Sequence, residues 1–494
     1  MTTDLGVQFP LIEGRRSTTQ LSRDVISHAV AGVAPDLAAA VEAEQKWHVA
    51  YADHLRAMTA VAAIRSGDAS AIARTGLDRL HDVFVVVDAD GSERPIDDAV
   101  AEAPQTQLDT RTVDGGAARV EELAVPYRGR DLRGQQIVEQ ASAWAADGVV
   151  EPSFVDAMAR IVAHPEWLDL RGRTFALLGA GAEMGPTERL LQYGADVHAV
   201  DIPDEQVWDR LDGLARAGAG TLHVPVRPDG SDGCDLIGDP ASVRAWLASF
   251  DRPMVIGNYA YADGADFVRV AMGADAVIVS LQRERQDISL AYLATPTDVF
   301  AVPFEAVQHA RRRREEAGAL GTVARGLHAA TGGRAFVPNY RETITTEDGR
   351  ELGIADCLVL QQGPNYALAK RLQRWRALVA RQDGLFSSVH VAPATRTRSV
   401  TKNRILAAAY RGAHIVDVEP FEPETSRAIM TALLVHDLHH EAAAAAPGSE
   451  GPGGDLEHDL IEAAAHSGLW RIAWEARSAL GAAVAAGARG LVTG

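Results

Sequence analysis

LLGAGAEMGPTERLLQYGADVHAVDIP, residues 177–203, decides how the chain is read. A short apolar run enters a glycine-rich turn, a helix-period stretch follows, and a second apolar run ends on an aspartate. Gly179 permits a tight turn out of a strand, and a small residue at Gly181 lets backbone approach a pyrophosphate. Gly185 lets a following helix pack closely, with its first amides facing an anion. Asp201 lies 22 residues after Gly179, where a carboxylate accepts hydrogen bonds from an adenosine ribose and repels a 2′-phosphate. The stretch predicts a strand–turn–helix–strand unit of a dinucleotide site, with Glu183 and Met184 in its turn and NAD favoured over NADP.

The same texture extends outward. RTFALLG, DVHAVDI, TLHVPV and PMVIGNY are short β-rich runs, with helical patterns such as DPASVRAWLASF between several of them. Alternation of this kind predicts an α/β fold with a doubly wound parallel sheet of Rossmann type. DAVIVSLQ, TDVFAVP, DCLVLQQ, SSVHVAP and HIVDVEPF read as further strands, and a DG turn near 348–349 as a hairpin. Residues 18–80 carry helix-period patterns, VFVVVDADG reads as one strand, and 91–135 is polar. The expected organisation is a mainly helical region over 1–168 and a dinucleotide-binding unit over 169–425. An insertion falls at about 264–354, and a helical end at 426–494 contains the linker EAAAAAPGSEGPGGD.

Bulk properties exclude several classes. A net charge of −19 repels a phosphate backbone, so nucleic acid is not an expected partner. No apolar run approaches the roughly 20 residues that span a bilayer, and no signal peptide is read at the N-terminus. Cys234 and Cys357 stand far apart and form no CxxC pair. The expectation is a soluble cytoplasmic protein acting on a small molecule, as a homo-oligomer.

Of 48 basic residues only three are lysine, Lys46, Lys370 and Lys402. Lys370 follows Tyr366 by one helical turn in NYALAK, on the same helix face. An ammonium there lowers a phenol's pKa from about 10 toward working pH, so that tyrosine exchanges a proton with a carbonyl or alcohol oxygen. Arginine does not match that role in the same geometry. NYAY (258–261) sits at a strand's carboxyl end, where open α/β sheets bind ligands, so Asn258, Tyr259 and Tyr261 face nicotinamide, substrate or core. RTRSVTKNR concentrates Arg396, Arg398 and Lys402 either as an anion clamp or as a solvated helix start. In VHDLHHEA, His436 and His440 are one turn apart, beside Asp437, His439 and Glu441; without HExxH, no metal site is expected.

Taken in order, these pieces resemble the short-chain dehydrogenase/reductase family, whose glycine turn reads GxxxGxG. Gly179 and Gly185 match its first and third glycines, with Glu183 at the middle one. CDLIGDPASVRAWLAS is similar to the family's acidic segment, making Asp235 the implied adenine contact. Asn258 matches the NNAG strand end, Tyr366 and Lys370 match YxxxK, and Pro393 and Thr397 fit the Pro-x-x-x-Thr loop. The resemblance implies NAD-dependent hydride transfer on an alcohol or carbonyl. The family's substrate-orienting serine, on the strand before the tyrosine helix, has no counterpart in DCLVLQQGPN, and position 353 is glycine. Gln361, Gln362, Ser280 or Asn339 are the expected substitutes. Other readings are a redox-neutral epimerase, dehydratase or lyase with tightly held NAD, a non-catalytic dinucleotide-binding protein, and a methyltransferase. The last lacks an acidic residue in the first strand, where Ala176, Leu177 and Leu178 stand.

Overall fold

The computed structural model describes residues 5–12, 14–447 and 460–489. Its centre is a seven-stranded sheet: β1 Asp109–Asp114, β2 Thr174–Leu178, β3 Asp196–Val200, β4 Thr221–Val226, β5 Met254–Asn258, β6 Ile288–Ala294 and β7 Ser387–Val391. The order across the sheet is β7-β6-β5-β2-β3-β4-β1. The contacts from β7 to β4 are parallel, and β1 alone runs antiparallel, on β4. The chain winds outward from β2 through β3 to β4, then crosses back to β5 and winds the other way. This doubly wound topology places a switch point, and hence a crevice, between the carboxyl ends of β2 and β5.

The central strands are apolar on both sides because both faces of the sheet are covered. Successive residues of β2 alternate between two cores. Ala176 and Leu178 join the core containing helices Pro240–Ala248, Ala265–Glu284 and Gly363–Gln382. Phe175 and Leu177 join the other, with helices Gln135–Ala146, Pro152–Ala163, Glu205–Ala217 and Pro423–His439. On the first face a third layer, Thr18–Ala31, Trp47–Ala62 and Asp68–Val83, packs over Gly363–Gln382. That helix carries Tyr366 and Lys370 and is enclosed by sheet beneath and helices above.

Several elements differ from the sequence reading. DAVIVSLQ is the last part of helix Ala265–Glu284 and not a strand. The helix is buried almost all round, so it has no polar face to reveal its period. The strand in this region is ISLAYLA, β6. TDVFAVP is a strand, Val299–Pro303, but it belongs to a separate antiparallel sheet with Glu351–Asp356 and Thr343–Thr345. The hairpin around the DG turn is present there, and DCLVLQQ forms no strand beyond Asp356. The inserted segment therefore runs from Thr295 to Gln362, not over 264–354. HIVDVEPF holds a 3₁₀ turn, Ala413–Val416, and touches Thr395 through a single bridge at Phe421. The polar stretch before residue 135 supplies the edge strand β1. Both cysteines are free and buried, and residues 448–455 of the expected linker lie outside the described residues.

Two buried ion networks tie the layers together. Asp298, at the start of the insertion, accepts from Arg371 (2.7 Å) and Arg374 (3.2 Å) on the tyrosine helix. Asp275 accepts from Arg376 Nη2 (2.7 Å) and from His81 Nε2 (2.9 Å), and Asp97 takes the other face of the His81 ring. Burial opposes charge on His81, but the hydrogen bonds and charges of Asp275 and Asp97 outweigh it and raise its pKa from 6.5 to about 9. That stabilisation is complete below pH 6.5 and is lost as pH rises through 9. It amounts to about 3 kcal/mol. Denaturant midpoints of the intact chain should fall over that interval, and in His81→Gln they should stay level. Asp298→Ala leaves two guanidiniums buried without their carboxylate and should cost about 3–5 kcal/mol in denaturant unfolding.

Candidate active-site crevice

The exit of β2 and the exit of β5 are in backbone contact. Gly179 has φ +80°, and a β-carbon there would lie 2.6 Å from the amide nitrogen of Ala260. The Tyr259 amide donates to the Leu178 carbonyl at 2.8 Å, closing the join. Glycine is required here both for its conformation and for the absence of a side chain.

Around this join the turn is held by its own polar groups. The Gly181 amide donates to Asp201 Oδ2 (2.7 Å) and the Ile202 amide to Oδ1 (2.9 Å). Burial raises the Asp201 pKa, and these two amides oppose the rise. Arg210 donates to the Gly181 carbonyl. Glu183 Oε2 accepts from the Arg398 amide at 2.8 Å, and its carbonyl accepts from Arg427. Gly185 closes a turn onto the Ala182 carbonyl, beside partly buried Met184. The helix that follows is short, Thr187–Gln192. Asp235 caps the Ile237 amide (2.8 Å), in a loop joined to β3 by the Cys234 amide on the Asp201 carbonyl.

Asn258 is buried at the end of β5. Its Oδ1 accepts from the Ala260 amide at 3.3 Å, while its Nδ2 has no protein partner. A buried amide donor without a partner is costly unless a ligand satisfies it. Tyr259 packs its ring over Gly257. Tyr261 is half exposed, donates to Asp263 and meets Phe267 at a 60° tilt, and Phe267 also meets the Tyr366 ring at 5.6 Å.

On the other side of β5, the Tyr366 hydroxyl lies 3.1 Å from Thr295 Oγ1, directly beyond the end of β6. Thr295 Oγ1 and Thr297 Oγ1 are 2.9 Å from one another. These threonines follow the sheet strand whose end faces the tyrosine helix. Ser280 is instead buried inside a helix, and Asn339 is bonded to the Ile472 carbonyl in the inserted segment. Gln361 is exposed, whereas Gln362 begins the tyrosine helix with its Oε1 buried and unpartnered. The signal that finds the threonines is ISLAYLATPT, once it is read as the strand before the tyrosine helix.

Lys370 donates to the Leu293 carbonyl (3.3 Å) and to Gln373 Oε1 (3.0 Å). Burial lowers its pKa from 10.5 to about 8, with Asp298 opposing. The phenol of Tyr366 is not lowered, contrary to expectation. Burial raises it, and the Thr295 and Thr297 hydroxyls only partly offset this. The lysine's hydrogen bonds go to the strand and its own helix, so its charge is spent away from the phenol.

After β7, buried Pro393 accepts from the Thr395 hydroxyl, and Thr397 leads into a short helix, Arg398–Lys402. Arg396 pairs with Glu422 at 2.7 Å, and the side chains of Arg398 and Lys402 are exposed. The loop reaches the glycine turn through the Arg398–Glu183 bond. The histidines of VHDLHHEA lie elsewhere, where buried Asp437 accepts from Ser388 (2.7 Å) and contacts His390 (2.7 Å). Among the described residues no group of three or more His, Cys, Asp or Glu side chains could hold a metal.

No family model and no curated protein matches the chain. Solved structures match in fold only. A 3-oxoacyl-[acyl-carrier protein] reductase from Brucella melitensis is 11% identical, covering 57% of this chain and 87% of its own, at TM-score 0.32. A variant short-chain dehydrogenase/reductase from Serratia marcescens is 10% identical, covering 58% and 95%, also at 0.32. An A-type ketoreductase from a modular polyketide synthase is 15% identical over 55% of this chain and 46% of its own, at 0.30.

Proposed function

We propose that the chain is a nicotinamide dinucleotide-dependent oxidoreductase acting on a carbonyl or alcohol. The observation that carries this reading is the junction of Thr295, Tyr366 and Lys370 at the carboxyl end of β6, beside the switch point of a doubly wound sheet. The crevice fits such a cofactor in three respects. The Gly179–Ala260 contact leaves bare backbone at its floor, Asp201 stands at the end of β3, and Asn258 offers an unused buried amide. Gly179, Gly181, Met184, Gly185, Asp201 and Asp235 would line the adenosine and pyrophosphate side, and Asn258, Tyr259, Pro393 and Thr397 the nicotinamide side. Asp201 favours NAD. Glu183, where a glycine would be neutral, adds a carboxylate to the pyrophosphate side and weakens that hold.

When bound, the dinucleotide supplies or removes the hydride. The residues of this chain manage the proton and the geometry. Tyr366, kept protonated by burial, gives its phenolic proton to the substrate oxygen as the carbonyl is reduced. Thr295, at hydrogen-bond distance from the phenol, donates to that same oxygen and fixes its position. Lys370, anchored to the Leu293 carbonyl one helical turn from Tyr366, adds a buried positive charge at the end of the strand without touching the phenol.

Oxidation of NADH followed at 340 nm, over a panel of aldehydes and ketones, tests the reading. Tyr366→Phe should lower kcat roughly 10²–10⁴-fold with little change in NADH binding. Unchanged turnover in that variant would remove Tyr366 from the mechanism. Because Lys370 loses its proton at about 8, reductive kcat/KM should be level below that pH and decline above it. In Lys370→Met the decline should be absent and the plateau lower.

A further inference from the structure

Next to the threonine pair the structure holds an apolar cleft that the sheet unit alone does not build. Its cavity volume is about 80 Å³, and it opens to solvent. One wall is helix Arg404–Gly412 and the turn after it, through Leu406, Ala409 and Ala413. The facing wall is the C-terminal helix Ala476–Arg489, through Ala476, Ala479 and Leu480. Thr297 and Gln362 are polar residues of its lining. Thr297 Oγ1 lies 2.9 Å from Thr295 Oγ1, which the Tyr366 hydroxyl meets at 3.1 Å, so cleft and proton donor are joined through the threonine pair.

The walls are fixed to one another. A β-carbon on Gly412 would fall onto the Ala483 carbonyl, and one on Gly487 onto the Ala408 carbonyl, so the two helices cross in backbone contact. Asn403 caps the first helix at the Ile405 and Leu406 amides, 3.0 and 3.2 Å away. Contact this close leaves little freedom for the helices to collapse into the space. The alanines beside the crossing leave room that larger side chains would fill. A lining almost without hydrogen-bonding groups favours an occupant that is itself apolar.

We infer that the group delivered to Tyr366 is the oxygen-bearing end of an apolar chain, whose tail lies in the cleft between the 404–412 and 476–489 helices. The chemistry at the head rests on the oxidoreductase reading; the housing of the tail does not.

Calorimetry with straight-chain alcohols from butanol to decanol, on the intact protein, tests the tail without turnover. Each added methylene should tighten binding about threefold to fourfold, equivalent to ~0.8 kcal/mol per buried methylene. Ala479→Phe should flatten that series by filling the cleft. Affinities of wild type that do not rise with chain length overturn the inference, whatever the redox activity. A steep series with no NADH oxidation on any methyl ketone, from butanone to decan-2-one, supports the cleft and removes the oxidoreductase reading alone. Where ketones are turned over, kcat/KM should climb along the same series, and a level profile overturns the inference.

Discussion

Asp298 lies between the guanidiniums of Arg371 and Arg374, away from water, and the site depends on it. The chain leaves β6 at Ala294, passes Thr295 and Thr297, and at once departs into a long inserted segment before the tyrosine helix begins. Nothing local in sequence holds those threonines against Tyr366. The carboxylate does so from the next residue, by clamping the turn onto the third and fourth turns of that helix. In a low-dielectric interior such a pair is geometrically demanding and penalises every misplaced alternative. It also opposes the fall in the Lys370 pKa, so one buried anion sets both the position and the charge of the proposed machinery.

How much could be read from the sequence follows from where side chains face water. The strand order around β2, β3 and β5 was legible because glycines and short β-branched runs punctuate it, and Asp201 and Asn258 fall at strand ends as expected. Helix Ala265–Glu284 was not, since sheet on one side and helices on the other bury it and erase its amphipathic signature. That one misreading displaced the insertion and hid Thr295 at the end of the strand before it. Glu183 and the short helix after it were equally visible in GAEMGPTERL, yet the bond from Glu183 to the Arg398 amide joins residues 215 positions apart. Periodicity carries no information about such pairs.

Charge and geometry divide the crevice into a fixed side and an adjustable one. The β2 and β5 exits are locked through Gly179, Ala260 and the Tyr259 amide, with no slack for a side chain. The loop after β7 meets the glycine turn through one carboxylate–amide bond and otherwise presents exposed Arg396, Arg398 and Lys402. Widening of the crevice therefore falls to the β7 loop and the helices beyond it, which also wall the apolar cleft.

The third helical layer has a consequence for how the chain is made. Helix Asp68–Val83 packs on Gly363–Gln382, and His81 is bonded to Asp275. The helices of residues 18–83 must therefore wait for nearly three hundred further residues before the faces that meet the tyrosine helix are covered. Contacts of such sequence separation slow folding and prolong the exposure of partly formed cores. The sheet unit gains nothing from release of that layer either, since its removal would bare the outer face of the tyrosine helix. Accessory in sequence, residues 18–83 are a late-closing cover in assembly, and the crevice is complete only once they have met helix Gly363–Gln382.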